Sequence, residues 1–162
     1  MTEAEFRALK QHFGKKEIRL LTFDERPDRA YSAKVTGTAS IKHIPFDGEE
    51  GENIYKGEGT IQFTCYYPFA RATSSQTGGT NSGDIPVPFT LTLSGKNSIV
   101  VDGHEIKWDL PAGVSAELDT RAGLVMDTNK NLYNKYVTGN LTVKIPVGVE
   151  APTGAVFYCE YI

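Results

Sequence analysis

Tyr55-Lys-Gly-Glu-Gly-Thr-Ile-Gln-Phe-Thr-Cys-Tyr-Tyr-Pro-Phe-Ala-Arg71 alternates along its length. Gly59, Ile61, Phe63, Cys65 and Tyr67 fall on one side of an extended chain, and Glu58, Thr60, Gln62, Thr64 and Tyr66 on the other. A period of two in a segment rich in β-formers predicts a strand with one buried face. Pro68 lacks a ladder donor and is expected to end it. Upstream, Ala30 to Phe46 is a second extended run, joined to the first through the acidic, glycine-bearing turn Asp47-Gly-Glu-Glu-Gly-Glu-Asn53. Together they predict a β-hairpin longer than a small domain needs for its own core, so the hairpin is expected to reach another molecule.

The 162 residues suffice for one well-cored domain or two small ones. Hydrophobic content of 40% and charged content of 23% are ordinary for a globular protein. Sixteen glycines, eight prolines and eight tyrosines against two methionines lean toward β structure with many turns. A net charge of −3 and a pI near 5.6 supply no basic field for nucleic acid or anionic lipid. The apolar runs are far shorter than a membrane span. The N-terminus lacks the basic and apolar regions of a signal peptide, so synthesis in a cytoplasm without export is expected. Cys65 and Cys159, both inside strand-like runs, are expected as buried free thiols rather than a disulfide.

Thr2-Glu-Ala-Glu5 is a capping box, Phe6, Leu9 and Phe13 recur at helical spacing, and Gly14 supplies a C-cap. These predict a short helix with an aromatic stripe. A strand from Glu17 to Phe23, with Ile18, Leu20 and Phe23 inward, and a charged turn Asp24 to Arg29 follow. After Arg71, Ala72 to Gly83 is small, polar and aperiodic, which predicts a linker over 72–87 between a helix-plus-hairpin part, 1–71, and a C-terminal part, 88–162. From Phe89 onward eight short strands are expected: 89–93, 98–101, 105–110, 116–120, 124–127, 132–137, 141–145 and 156–161. Asp102-Gly103 between extended runs is a two-residue hairpin signal. The fold class is therefore mainly β, with a short N-terminal helix, a partial sheet and a long hairpin, followed by an antiparallel β-sandwich of jelly-roll or galectin-like layout.

Catalytic signatures do not emerge. His12, His43 and His104 are dispersed, and no phosphate loop, nucleophile elbow or zinc signature is present. The acidic tip lacks the alternating ligands of a calcium loop. Asp109, Asp119 and Asp127 fall near strand ends, where nothing sets a glycosidase spacing. No cofactor, no metal and no enzymatic activity are expected. Trp108, with Asp109 and Asn97 nearby, is the one candidate for stacking on a cell-surface saccharide, though a single tryptophan in an alternating strand is more often a core or interface residue.

The helix Glu3 to Phe13, the run Leu20-Leu-Thr-Phe-Asp-Glu-Arg-Pro-Asp-Arg-Ala-Tyr31 and the strand Gly57-Glu-Gly-Thr-Ile-Gln-Phe-Thr-Cys-Tyr-Tyr-Pro-Phe-Ala70 come in one order. With Val125 to Tyr133, Gly139-Asn140 and Ile145-Pro-Val-Gly148, this order resembles the distal tail proteins of long-tailed phages over nearly the whole chain. The resemblance implies a virion protein made in the host bacterial cytoplasm. It would form a homo-hexameric ring at the tail tip and contact the tail tube protein and the tip or baseplate proteins. Ala30–Phe46 and Tyr55–Ala70 would form a belt gripping neighbouring subunits. Candidate contacts are Tyr55, Lys56, Glu58, Thr60, Gln62 and Tyr66. Family members carry several strands before the helix, whereas this chain begins at Met1 almost on the N-cap. A strand supplied by another subunit or protein is therefore expected.

Overall fold

A computed structural model describes residues 11, 17–37, 40–46 and 54–162, with the side chains of 40–46 and 54–60 outside the description. The helix expected over Thr2–Gly14, apart from residue 11, and the acidic tip Asp47–Asn53 lie outside the described residues. The fold is mainly β, built from several antiparallel sheets. It divides into two compact units, one comprising 1–23 and 31–68 and the other 24–30 and 69–162.

The first unit holds β1 (Arg19–Phe23), the second half of β2 (Arg26–Val35), β3 (Ser40–Phe46), β4 (Ile54–Thr60) and β5 (Phe63–Cys65). The expected hairpin is present, but as two ladders. β3 and β4 pair over seven positions, from Ser40↔Thr60 to Phe46↔Ile54. β2 and β5 pair from Ala33↔Cys65 to Val35↔Phe63, and the Thr36 amide donates to the Gln62 carbonyl at 3.0 Å. From 36 to 40 one arm advances four residues while the other retreats two, from 62 to 60, so the register shifts by two between the ladders.

The continuous strand with a buried face expected over 55–71 is therefore corrected. All three residues of β5 are exposed, Phe63 at 38%, and Tyr66 is 57% exposed. Cys65, expected to be buried, is an exposed free thiol. Ile18, just before β1, and Leu20 and Phe23 on it are likewise exposed rather than inward. The reason is the same in each case: alternation specifies a pleated strand, and burial needs a covering layer, which the described residues do not supply to these strands. Phe23 packs edge-on against Tyr31 at 6.0 Å between ring centres.

The second unit contains β6 (Ala70–Ala72), β7 (Gln76–Thr77), β8 (Phe89–Ser94), β9 (Lys96–Val101), β10 (His104–Asp109), β11 (Ser115–Asp119), β12 (Leu124–Met126), β13 (Val137–Thr138), β14 (Val156–Phe157) and β15 (Glu160–Tyr161). One sheet runs β13-β10-β9 and another β12-β11-β8-β14-β7. The β9–β10 hairpin turns through Asp102 and Gly103, at φ 51° and 73°, as a two-residue turn between twisted strands requires. Both sheets direct alternate residues into one core: Phe89, Leu91 and Leu93 from β8, Ile106 and Trp108 from β10, Leu118 from β11, Val125 from β12 and Phe157 from β14.

Two expected strands are absent. Over 132–137 the chain forms a 3-10 turn, Asn134–Tyr136, before β13, and over 141–145 only an isolated bridge, Val87↔Ile145, remains. Val143 and Ile145 are still buried, so these apolar residues serve the core from irregular backbone.

The stretch 72–87, expected as a linker, lies inside the second unit. It carries β7 and the fully buried Asn81, whose Nδ2 donates to the carbonyls of Ile85 and Ile145, each at 3.0 Å, and whose Oδ1 accepts from the Gly83 amide. A Cβ at Gly83 would stand 2.5 Å from the Glu160 carbonyl oxygen, so only glycine fits there. Polar composition here reflects backbone pairing by side chains rather than chain freedom.

Candidate functional site

The saccharide candidates are neighbours on the paired strands β9 and β10. The alternation of β10 sends Ile106 and Trp108 inward and Glu105, Lys107 and Asp109 outward. Register then sets Asn97 opposite Trp108 and Lys96 opposite Asp109, while Thr138 on β13 faces Lys107. The result is a depression of about 420 Å³ lined by Asn97, Trp108, Asp109, Tyr136 and Thr138 among others.

Its polar groups are largely committed locally. Lys96 Nζ lies 3.0 Å from Asp109 Oδ2, an exposed pair worth at most about 1 kcal/mol. Asn97 Oδ1 accepts from the Ser98 amide at 2.8 Å. Trp108 is a core residue, 7% exposed, with its indole N–H donating to the Ser94 carbonyl at 3.1 Å. The open ring face a sugar stack needs is therefore not presented. Tyr136 is the second aromatic residue lining the depression.

The residues assigned to ring contacts are spread along the hairpin. Tyr55, Lys56, Glu58 and Thr60 sit on β4, opposite Pro45, Ile44, Lys42 and Ser40, with side chains outside the description. Gln62 stands in the break between the two ladders, exposed, with its carbonyl taken by Thr36. Tyr66 follows β5, and its amide donates to the Ser32 carbonyl at 3.1 Å. Tyr66 and Tyr67, with Phe63, leave exposed aromatic surface on this stretch.

A third cluster was not anticipated. In the β2–β6–β15 ladder, Arg71 stands between Ala30 and Glu160. Glu160 is 2% exposed, and its Oε1 takes Arg121 Nη2 at 3.0 Å. The Arg71 guanidinium lies over the Tyr158 ring, 3.5 Å from its centre. One register step away, Arg29 lies over Tyr161 at 3.8 Å, and burial, with Cys159 adding to it, holds the Tyr161 phenol above its ordinary 10.0. One signal of this cluster stood in the sequence: Glu160 is the single acid in the otherwise apolar and aromatic run Ala155–Ile162.

Among the described residues, no group of three or more His, Cys, Asp or Glu is placed to hold a metal ion. No helix there is long and apolar enough to cross a membrane. No protein-family model, curated protein or solved structure matches the chain.

Proposed function

We propose that the chain is a non-enzymatic structural protein of a phage tail tip or phage-tail-like particle, forming a hexameric ring between the tail tube and the baseplate or tip complex. The observation that carries this reading is the β3–β4 ladder. Its strands pair with each other over seven positions and with no other strand among the described residues. A lone two-stranded hairpin is marginal in water, and its outer edges offer backbone groups suited to strand addition. Exposed Phe63, Tyr66 and Tyr67 on the adjoining segment add aromatic surface of the kind interfaces use. The motif order shared with distal tail proteins supports the same reading. So does the second unit, whose sheets around one core suit a galectin-like or jelly-roll layout.

Solution mass by light scattering, with negative-stain images of the same peak, tests it. A hollow six-fold ring is expected. A monomer at every concentration, and in the presence of a tail tube protein, would count against it.

The depression beside Trp108 favours a second reading, a saccharide-binding module. Titration with cell-wall saccharides is then expected to shift Trp108 fluorescence, and Tyr136→Ala to abolish the shift. No response to any saccharide removes this alternative.

A further inference from the structure

Arg71 differs from its neighbours Arg29 and Arg121 in the second unit. Arg29 has Asp28 at 3.6 Å and Arg121 has Glu160 at 3.0 Å, whereas no carboxylate among the described residues pairs with Arg71. Its guanidinium carbon lies 3.5 Å from the centre of the Tyr158 ring, a cation–π contact that seats the charge beside that ring. Arg71 and Arg121 line the same cavity, about 160 Å³, walled by Pro88, Val156 and Tyr158 and floored by buried Phe89 and Phe157. Asp119 also lines it, but its Oδ1 accepts from the Arg121 and Ala122 amides. A small cavity with an apolar floor and a guanidinium seated at its wall suits a carboxylate on a short aliphatic stem.

Elsewhere in the chain, four acids stand within seven residues, Asp47, Glu49, Glu50 and Glu52. They connect the paired ends Phe46 and Ile54. The seven-residue arms β3 and β4 each span about 20 Å.

We infer that Arg71 and Arg121 form a carboxylate-binding site occupied by the acidic hairpin tip of a second copy of the chain. This inference rests on the self-assembly proposed above and adds its site. The probe is a peptide of residues 47–53, titrated into the full chain while the Arg71 Nε–H resonance is followed. A saturable shift is expected, absent with Glu49, Glu50 and Glu52 changed to Gln. Arg71→Gln should weaken binding about tenfold or more, as loss of a charge-assisted contact does.

In parallel, Arg71→Glu is expected to lower the mass of the assembly. Combining it with Glu49→Arg and Glu50→Arg should restore that mass, which a folding defect would not allow. In the chain carrying Glu49→Gln, Glu50→Gln and Glu52→Gln, whose own tips cannot compete, no saturable shift with the unaltered peptide overturns the site even if the unaltered chain forms rings. A shift in a chain that stays monomeric, or rings indifferent to both charge reversals, overturns the second-copy occupant. Competition by galacturonate at Arg71 would then identify a soluble carboxylate in its place.

Discussion

The two units use similar strands to different ends. In the second, β8, β10, β11 and β14 bury alternate residues so fully that Leu93, Ile106 and Leu118 have no exposed surface. In the first, β1 and β5 alternate as regularly, yet Leu20 is 69% and Phe63 38% exposed. Periodicity reports the pleat, while burial reports whether a second layer exists. A strand that alternates without a covering layer is a surface awaiting a partner, and that contrast underlies the functional proposal.

The contrast has a direct energetic consequence. Phe157→Ala or Leu118→Ala should cost about 3–5 kcal/mol of stability, since each opens a cavity in a shared core. Phe63→Ala should cost less than about 1 kcal/mol in the isolated chain, and should act on assembly instead. Urea unfolding of the three variants measures both. Equal losses at Phe63 and Phe157 would break the comparison, because they would require a covering layer over β5.

Next in size is Asn81. Asn81→Ala leaves the Ile85 carbonyl and the Gly83 amide without their partner and the Ile145 carbonyl with the Val87 amide alone, a loss of about 2–3 kcal/mol. It should also speed hydrogen exchange at the Gly83 amide. A linker would tolerate the change without effect, so an unaltered unfolding midpoint would return 72–87 to that role.

Much of the second unit was legible because β8 to β12 combine alternation with strong turn signals, Asp102-Gly103 above all. The saccharide candidates were legible as neighbours, since Asn97, Trp108 and Asp109 lie on consecutive paired strands. The seating of Trp108 was not, because its partner is a backbone carbonyl at Ser94, contributed by a strand of the other sheet. Nor was the Arg71 cluster. Arg71, Arg121 and Tyr158 are far apart in sequence and meet only through the β6–β15 register and the turn after β11. The register shift within the hairpin escaped for a related reason, as both arms remain extended on either side of it and composition does not mark a two-residue slip.

The cysteines sharpen the comparison without altering the fold. Cys65 is exposed, whereas Cys159 is fully buried with Ser82 Oγ at 3.5 Å. A thiol reagent is expected to label Cys65 in the native protein and Cys159 only as the second unit opens. Addition of denaturant below the transition should accelerate only the second reaction. If both thiols react together at the outset, the core around Cys159 opens far more readily than its packing implies. Within assembled rings, slowed labelling of Cys65 would place β5 at a subunit boundary.

The smallest expected effect concerns Asp127, in the connection from β12 to the 3-10 turn. Its Oδ1 accepts from the amides of Asn129 and Asn131, and its Oδ2 from the Asn131 side chain and the Tyr133 hydroxyl. The Asn131 side-chain bond, followed by the backbone bonds, holds the carboxyl below its ordinary 3.8, because all of them favour the charged form. A carboxyl depressed in the folded state binds its proton less readily than the unfolded chain does. Its contribution is thus fully present above 3.8 and is lost as pH falls through the lower folded value. Resonances of the Asn131 side-chain amide should hold constant down to that point and then move together with the Asp127 carboxyl. A midpoint at or above 3.8 would mean that the loop does not hold these bonds in solution, and Asp127→Asn would then leave the fold of 127–133 unchanged.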